Sequence, residues 1–178
     1  MVLFSTARLR VRYFVRERDG DNFFRINGDP DVMRYIRTPK TREQAEAFLA
    51  EIVESTGPGI VTGRWAVEDK LTEKFLGSFA IIPIEGTSDI QMGYAFVKEA
   101  WGKGYATELT KGGLKYYFAK TGAKQIWAIT EKENTASQHV LLKAGFRQAG
   151  TRSEGEKEVL MFLFKKYGWP QERGDTPV

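Results

Sequence analysis

Two glycines one residue apart, Gly102 and Gly104, stand where a strand-like run ends and a helix-like run begins. The stretch reads Trp101-Gly102-Lys103-Gly104-Tyr105-Ala106-Thr107-Glu108, with Ile90 to Val97 before it and Tyr105 to Lys120 after it. A strand, a glycine turn and a helix start make an anion site. The first-turn N–H groups have no partners within the helix, and the helix dipole favours negative charge there. The glycines let the backbone approach a diphosphate without a Cβ in the way. The spacing does not match a P-loop, which has four residues between its glycines and then Lys-Ser/Thr. It does not match G-x-G-x-x-G either, because Thr107 stands at the third glycine. Taken alone, the turn also fits a plain tight connection between strand and helix.

A second chemical cluster lies downstream. Ile126 to Thr130 reads as a strand. The chain then runs Glu131-Lys132-Glu133-Asn134-Thr135-Ala136-Ser137 through Lys143-Ala144-Gly145-Phe146. This is a helix with polar capping residues at its start and Lys143 and Gly145 at its end. Asn134 is a good N-cap, and Ser137 can pack or back-bond within a helix.

The elements that must position these residues can be followed along the chain. Residues 6 to 13 read as the first strand, Asp21 to Ile26 and Pro30 to Tyr35 as short helices, and Thr41 to Ser55 as a strong helix. In the last of these Ala45, Phe48, Leu49, Ile52 and Val53 recur at helical spacing. Arg64 to Glu68, Phe75 to Ile82, Phe146 to Arg152 and Val159 to Phe164 complete the strands. The order gives an α/β protein with a mixed sheet flanked by helices. Residues 1–167 read as one domain, and 168–178, with two prolines and several polar residues, as a loose tail.

Three separated segments resemble the GNAT acetyltransferase superfamily, in the branch of the ribosomal-protein N-terminal (RimJ/RimL-type) acetyltransferases. They are Met92-Gly93-Tyr94, Trp101 to Glu108, and Asn134 through Ser137 to Phe146; Thr6 to Arg12 resembles that branch's first strand. The resemblance spans residues 6 to 165, in family order. It implies the acyl-CoA N-acyltransferase fold, a twisted mixed sheet of about seven strands in which two strands diverge to leave a V-shaped cleft. It also implies acetyl-CoA as cosubstrate, without a metal. Backbone amides at Phe96 and Val97 would meet the pantetheine arm. Those of Gly102, Lys103, Gly104, Tyr105, Ala106 and Thr107 would meet the diphosphate, and Asn134 would reach the pantetheine. The family usually has Gln or Arg at position 101; Trp101 removes one phosphate-facing cation.

The implied reaction moves acetyl directly to an amine, with a base taking the amine proton and an N–H near Phe96 or Val97 as oxyanion donor. Two groups expected of the family are missing: Gln91 stands where a strand Glu is common, and Leu141 where a helix Tyr is common. Ser137 matches the branch's serine and is the candidate to hold a water or protonate the leaving thiolate. Asp89, Glu85 and Glu68 are conceivable bases. Without a strong base, the acceptor matters. A lysine side chain titrates about 3.4 pH units above pH 7, a cost near 4.6 kcal/mol; an α-amine costs only about 1 to 1.4 kcal/mol. The expectation is therefore an α-amine, such as a protein N-terminus, with a small-molecule amine as the alternative. A catalytically silent acyl-CoA-binding module is the reading from outside the enzymes. Tyr35, Trp65, Tyr94 and Trp127 could line the acceptor side or simply fill the core.

Composition narrows the field. The chain has 178 residues, no cysteine, one histidine (His139) and a net charge of +4. That excludes disulfides and thiolate chemistry and leaves a histidine-built metal site or a Ser-His-Asp hydrolase without support. No apolar run approaches a membrane span and no signal pattern opens the chain, so the expectation is a cytoplasmic protein without a membrane partner. The charge is too modest for a nucleic-acid footprint. Arg8, Arg10 and Arg12 share one strand face at period two; that face is expected to be solvated, or to steer an acidic cofactor or the ribosome. A homodimer is common among relatives.

Overall fold

The computed structural model describes residues 1–167; the expected loose tail, 168–178, lies outside the described residues. In chain order the elements are β1 (Val2–Ser5), β2 (Leu9–Arg12), α1 (Arg16–Asn27), α2 (Pro30–Met33) and α3 (Arg42–Ser55). Then come β3 (Gly63–Asp69), β4 (Phe75–Pro83), β5 (Ile90–Phe96) and a 3-10 turn (Lys98–Ala100). The chain continues through α4 (Tyr105–Lys120), β6 (Gln125–Glu131), α5 (Thr135–Ala144), β7 (Arg147–Glu154) and β8 (Lys157–Lys165). The strands form one eight-stranded sheet in the order β1-β2-β3-β4-β5-β6-β8-β7. Every pairing is antiparallel except β5 with β6. Among the described residues no helix is long and apolar enough to cross a membrane.

The sheet has one strand more than the seven expected, because Val2–Ser5 forms a strand ahead of the one expected at 6–13, which runs only over Leu9–Arg12. The Thr6 N–H donates to the Leu9 carbonyl at 2.9 Å, and the Leu9 N–H donates to Thr6 Oγ1 at 3.0 Å, so the chain reverses through Ala7 and Arg8. Neither Ala nor Arg is a typical turn residue, and the hairpin leaves no mark in the sequence. The first helix also starts earlier than expected, at Arg16. Its polar opening turn is held by Asp19, which accepts from the Val15 N–H at 2.9 Å. The helix expected from Thr41 begins at Arg42, and Thr41 caps it in a reciprocal capping box with Gln44.

Cross-strand register sorts the two faces of the sheet. Trp65, Phe79 and Tyr94 lie in one row, and Arg64, Ala80 and Gly93 in the next. The first row faces α4: a Cβ on Gly113 would stand 2.5 Å from the Phe79 ring, so this helix lies against the sheet only with glycine there. The second row faces α3, where Arg64 stacks over Phe48, and Phe48 in turn meets Phe23 of α1. Helices α1 and α3 therefore cover one face, and α4 the other. Trp65, Phe79, Phe146 and Phe162 are among the largest fully buried side chains.

Of the three arginines expected on a solvated or steering face, Arg8 is exposed, while Arg10 and Arg12 turn into an ion-pair network. Arg12 is buried and makes paired bonds to Asp19 at 2.7 and 2.8 Å, and its Nε meets Glu68 at 2.6 Å. Arg10 bridges Glu68 and Glu73, and Arg18 also reaches Glu68. A carboxylate as deeply buried as Glu68 needs such partners, because an unpaired buried charge is costly. The network ties β2 and β3 to α1 and removes Glu68 from the candidate bases.

Candidate active site

The parallel pairing of β5 with β6 is the point where the sheet opens. It holds at one register position, Gln91 opposite Trp127, and the strands then part toward their C-terminal ends. On the other side β5 pairs with β4 along its whole length. The Val97 N–H donates to the Leu76 carbonyl at 2.9 Å. In an antiparallel ladder the backbone groups alternate sides, so the N–H groups of Tyr94 and Phe96 turn away from β4, into the opening. Of the two amides expected on the pantetheine, Phe96 is turned inward and Val97 is engaged elsewhere. Tyr94, one alternation earlier, takes the second inward place. Period two is visible in a sequence, but its phase is set by the β4 partner.

At the wide end of the opening the chain makes the glycine turn. Gly102 and Gly104 have φ of 72° and 77°, the left-handed region that side chains with a Cβ avoid. A Cβ built on Gly102 meets nothing within 4 Å, so the turn faces open space. Gly104 is the N-cap of α4 and brings no side-chain cap. The first bond closing the helix runs from the Glu108 N–H to the Gly104 carbonyl at 3.2 Å, which leaves the N–H groups of Tyr105, Ala106 and Thr107 without helical partners.

A cation does reach this turn, from a distant part of the chain. Arg8, on the β1–β2 hairpin, donates to the Lys103 carbonyl at 3.0 Å, stacks over the Tyr105 ring at 4.5 Å and lies 3.6 Å from a Cβ built on Gly104. Glu108 holds it: Oε2 accepts from Arg8 Nε, and Oε1 from the Arg8 backbone N–H, both at 2.7 Å. Burial works to raise the pKa of this carboxyl. The Thr6 hydroxyl and the two Arg8 donors outweigh that and hold it below the ordinary carboxylate range. Trp101 folds back, its Nε1 donating to the Phe96 carbonyl at 2.9 Å.

Helix α5 supplies the far wall. Asn134 is its N-cap, Oδ1 accepting from the Ser137 N–H at 3.1 Å, and Gly145 ends it in the left-handed conformation. The cap occupies one oxygen of Asn134 and leaves its amide NH2 available. Across the opening, the Tyr94 hydroxyl lies 3.4 Å from Ser137 Oγ. Burial raises the Tyr94 pKa, and the Ser137 hydroxyl pulls it back only in part, so the phenol keeps its proton at neutral pH.

One continuous cavity of about 1320 Å3 links these parts and passes through the opening to the α1–α3 face. Phe96, Gly102, Gly104, Tyr105, Ala106, Thr107, Asn134 and Ser137 stand on its wall, while Val97 and Lys103 do not. Tyr35 and Tyr94 also line it. Trp65 is fully buried, and Trp127 lies off the cavity with its Nε1 buried and unpartnered. The conceivable bases Glu68, Glu85 and Asp89 are all absent from the wall. Its carboxylates are Asp31, paired with Lys98; Glu131, paired with Lys157; and Glu154, on an exposed strand end. His139 lines the cavity from α5 as an exposed residue.

A sheet split between parallel strands, with a glycine turn and helix start at its mouth, defines an acyl-transfer class of α/β protein. Residues 8–147 match the family model described as the acetyltransferase (GNAT) domain, and the chain belongs to that family. It is an acetyl-CoA-dependent N-acetyltransferase of the GNAT type. The uncharacterized protein YkkB of Bacillus subtilis is 30% identical over 164 residues, 91% of this chain and 95% of that protein. A GNAT-family acetyltransferase from Bacillus anthracis superposes with a TM-score of 0.79 at 24% identity, covering 93% of this chain and 98% of the other. RimL, a ribosomal L7/L12 α-N-protein acetyltransferase solved with coenzyme A, gives 0.78 at 12% identity over 93% and 98%. At such identities these structures establish the shared fold alone.

Proposed function

We propose that the protein acetylates an α-amine, such as a protein N-terminus, in the opening between β5 and β6. The observation that carries this reading is the cavity's chemistry at that point: a phenol and a serine hydroxyl face each other, and among the described residues neither hydrogen-bonds to a carboxylate. A site without a strong base suits the amine that is already partly neutral at pH 7, and a water can carry away its proton.

The glycine turn fits the diphosphate of acetyl-CoA. Gly102 and Gly104 to Thr107 stand on the cavity wall, and Arg8, held by Glu108, brings a guanidinium that Trp101 does not provide. The inward amides of Phe96 and Tyr94 suit the pantetheine and a developing oxyanion, and the Asn134 amide NH2 is free to donate from α5. Acetyl-CoA, when bound, supplies the acyl group as a thioester: the amine nitrogen bonds to the carbonyl carbon, and the carbon–sulfur bond breaks. The protein's task at that moment is to supply a proton to sulfur. Ser137 Oγ would give it, the Tyr94 hydroxyl would replace the serine proton, and the proton shed by the amine would return through water to Tyr94.

The test is thiol release from acetyl-CoA with two peptide sets, one with free N-termini and blocked lysines, the other with blocked N-termini and free lysines. Turnover of the first set is expected. Fast turnover of the second alone would overturn the α-amine assignment.

A further inference from the structure

The cavity's other end, on the α1–α3 face, carries two guanidinium groups that no carboxylate among the described residues neutralises. Arg37 belongs to the segment between α2 and α3, and Arg64 to β3; both line the cavity. They converge on one ring, Phe48, at 5.3 and 5.5 Å from its centroid, and Lys40 Nζ joins them at 5.0 Å. Among the described residues neither arginine meets a carboxylate. Their neighbours behave differently: Arg8, Arg10, Arg12, Arg18, Arg25, Arg34 and Arg42 each pair with one.

Burial lowers the Arg37 pKa. Burial, then repulsion from Arg37, brings Arg64 down to about 10, and both remain charged at neutral pH. Like charges sharing a half-buried wall are unfavourable, and a phenyl face compensates only in part. An anion between them would relieve the repulsion, and a guanidinium fork suits carboxylate or phosphate oxygens.

Register sets the distance. Arg64 is opposite Ala80, and Ala80 is opposite Gly93 beside the opening. Two inter-strand steps are about 10 Å, and about three extended residues span that length.

We propose that the acceptor carries an anionic group, a carboxylate or a phosphate, which docks on Arg37 and Arg64 while its amine enters the opening. The inference rests on the acyl-transfer reading of this cavity and deepens it by naming the acceptor's charge. A peptide with acidic side chains just after its free N-terminus meets the requirement, and so does a small phosphorylated amine. A polyamine does not, since it would bring further positive charge to an uncompensated pair.

The experiment compares acceptor twins by calorimetry on the CoA-saturated protein and by turnover with acetyl-CoA. One pair is a free-N-terminus tetrapeptide with Asp at its second and third positions and its Asn counterpart. The other is an amino sugar phosphate and its parent amino sugar. The anionic member of at least one pair is expected to bind at least tenfold tighter, and the pair that responds tells peptide from small-molecule acceptor. Arg37→Met and Arg64→Met keep an apolar stem on Phe48 and are expected to reduce the preference to within about twofold. Equal binding of both twins in both pairs, tightest binding of spermidine, or a preference untouched in the double variant would overturn the proposal. Anion preference without acetyl transfer would leave it standing and sink the acyl-transfer reading; transfer without preference would do the reverse.

Discussion

At one end of the cavity the groups aimed inward belong to the main chain; at the other they are side chains. The glycine turn offers N–H groups at 102–107, and β5 adds those of Tyr94 and Phe96. The α1–α3 face offers Arg37 and Arg64 over Phe48. Main-chain donors are the same in every sequence, so a site made from them suits a cosubstrate common to a whole family. On the proposed assignment, side chains on a loop and an early strand can be exchanged without disturbing that site, so acceptor choice could change while acyl-CoA binding is kept. The boundary between the two ends is the Tyr94–Ser137 pair.

Substitutions should divide along that boundary. The largest effect is expected of Ser137→Ala, which removes the proton donor to sulfur: kcat should fall about a hundredfold, with acetyl-CoA affinity held within about twofold in calorimetry; kinetics equal to the parent would exclude Ser137 from the reaction. The pH profile sharpens the same point. Because burial raises the Tyr94 pKa above the ordinary phenol range, the donor form is not lost as the acceptor amine titrates. The rise of kcat/KM with pH should then follow the acceptor amine, with an apparent pKa of about 7.7 to 8.0 for an α-amine. A rise centred near the lysine value would contradict that.

Gly104→Val places a β-branched residue at a φ of 77° and blocks backbone approach. Acetyl-CoA should bind about tenfold or more weakly, given a left-handed penalty of about 1–2 kcal/mol, with the preference among acceptors retained. An unchanged dissociation constant would remove the turn from the cofactor site. Tyr94→Phe should lower turnover about tenfold, less than the direct proton-transfer range because the phenol acts through Ser137, with little change in acetyl-CoA affinity; kinetics equal to the parent would exclude the Tyr94 hydroxyl from the reaction. The smallest effect is expected of Asn134→Ala, a lost cap of about 1 kcal/mol. Thermal unfolding should register that as a fall of about 2–4 °C in Tm.

The same division explains what could be read from the sequence. The glycine turn was legible because left-handed backbone requires residue types that show. Helix α4 has the bounds that its periodicity marks, Tyr105–Lys120, and the caps of α5, Asn134 and Gly145, are equally visible. The β1–β2 hairpin was not legible, because Ala7 and Arg8 turn the chain through bonds that Thr6 makes to Leu9. Arg12, Asp19 and Glu68 look like surface charges until the fold buries them together across 56 positions of sequence. Tyr94 and Ser137 are 43 apart, and Arg8 meets the glycine turn from 95 residues away. No local pattern encodes such meetings; they follow from the strand order. The inward phase of β5 likewise depended on its partner, which is why Tyr94 rather than Val97 joins Phe96 at the opening.

A crystal of the protein soaked with acetyl-CoA tests the account most directly. The diphosphate oxygens should lie about 2.7–3.2 Å from N–H groups of the 102–107 turn, with the thioester between the Tyr94 hydroxyl and the Phe96 amide. A well-ordered ligand bound elsewhere, with the turn left to solvent, would contradict it.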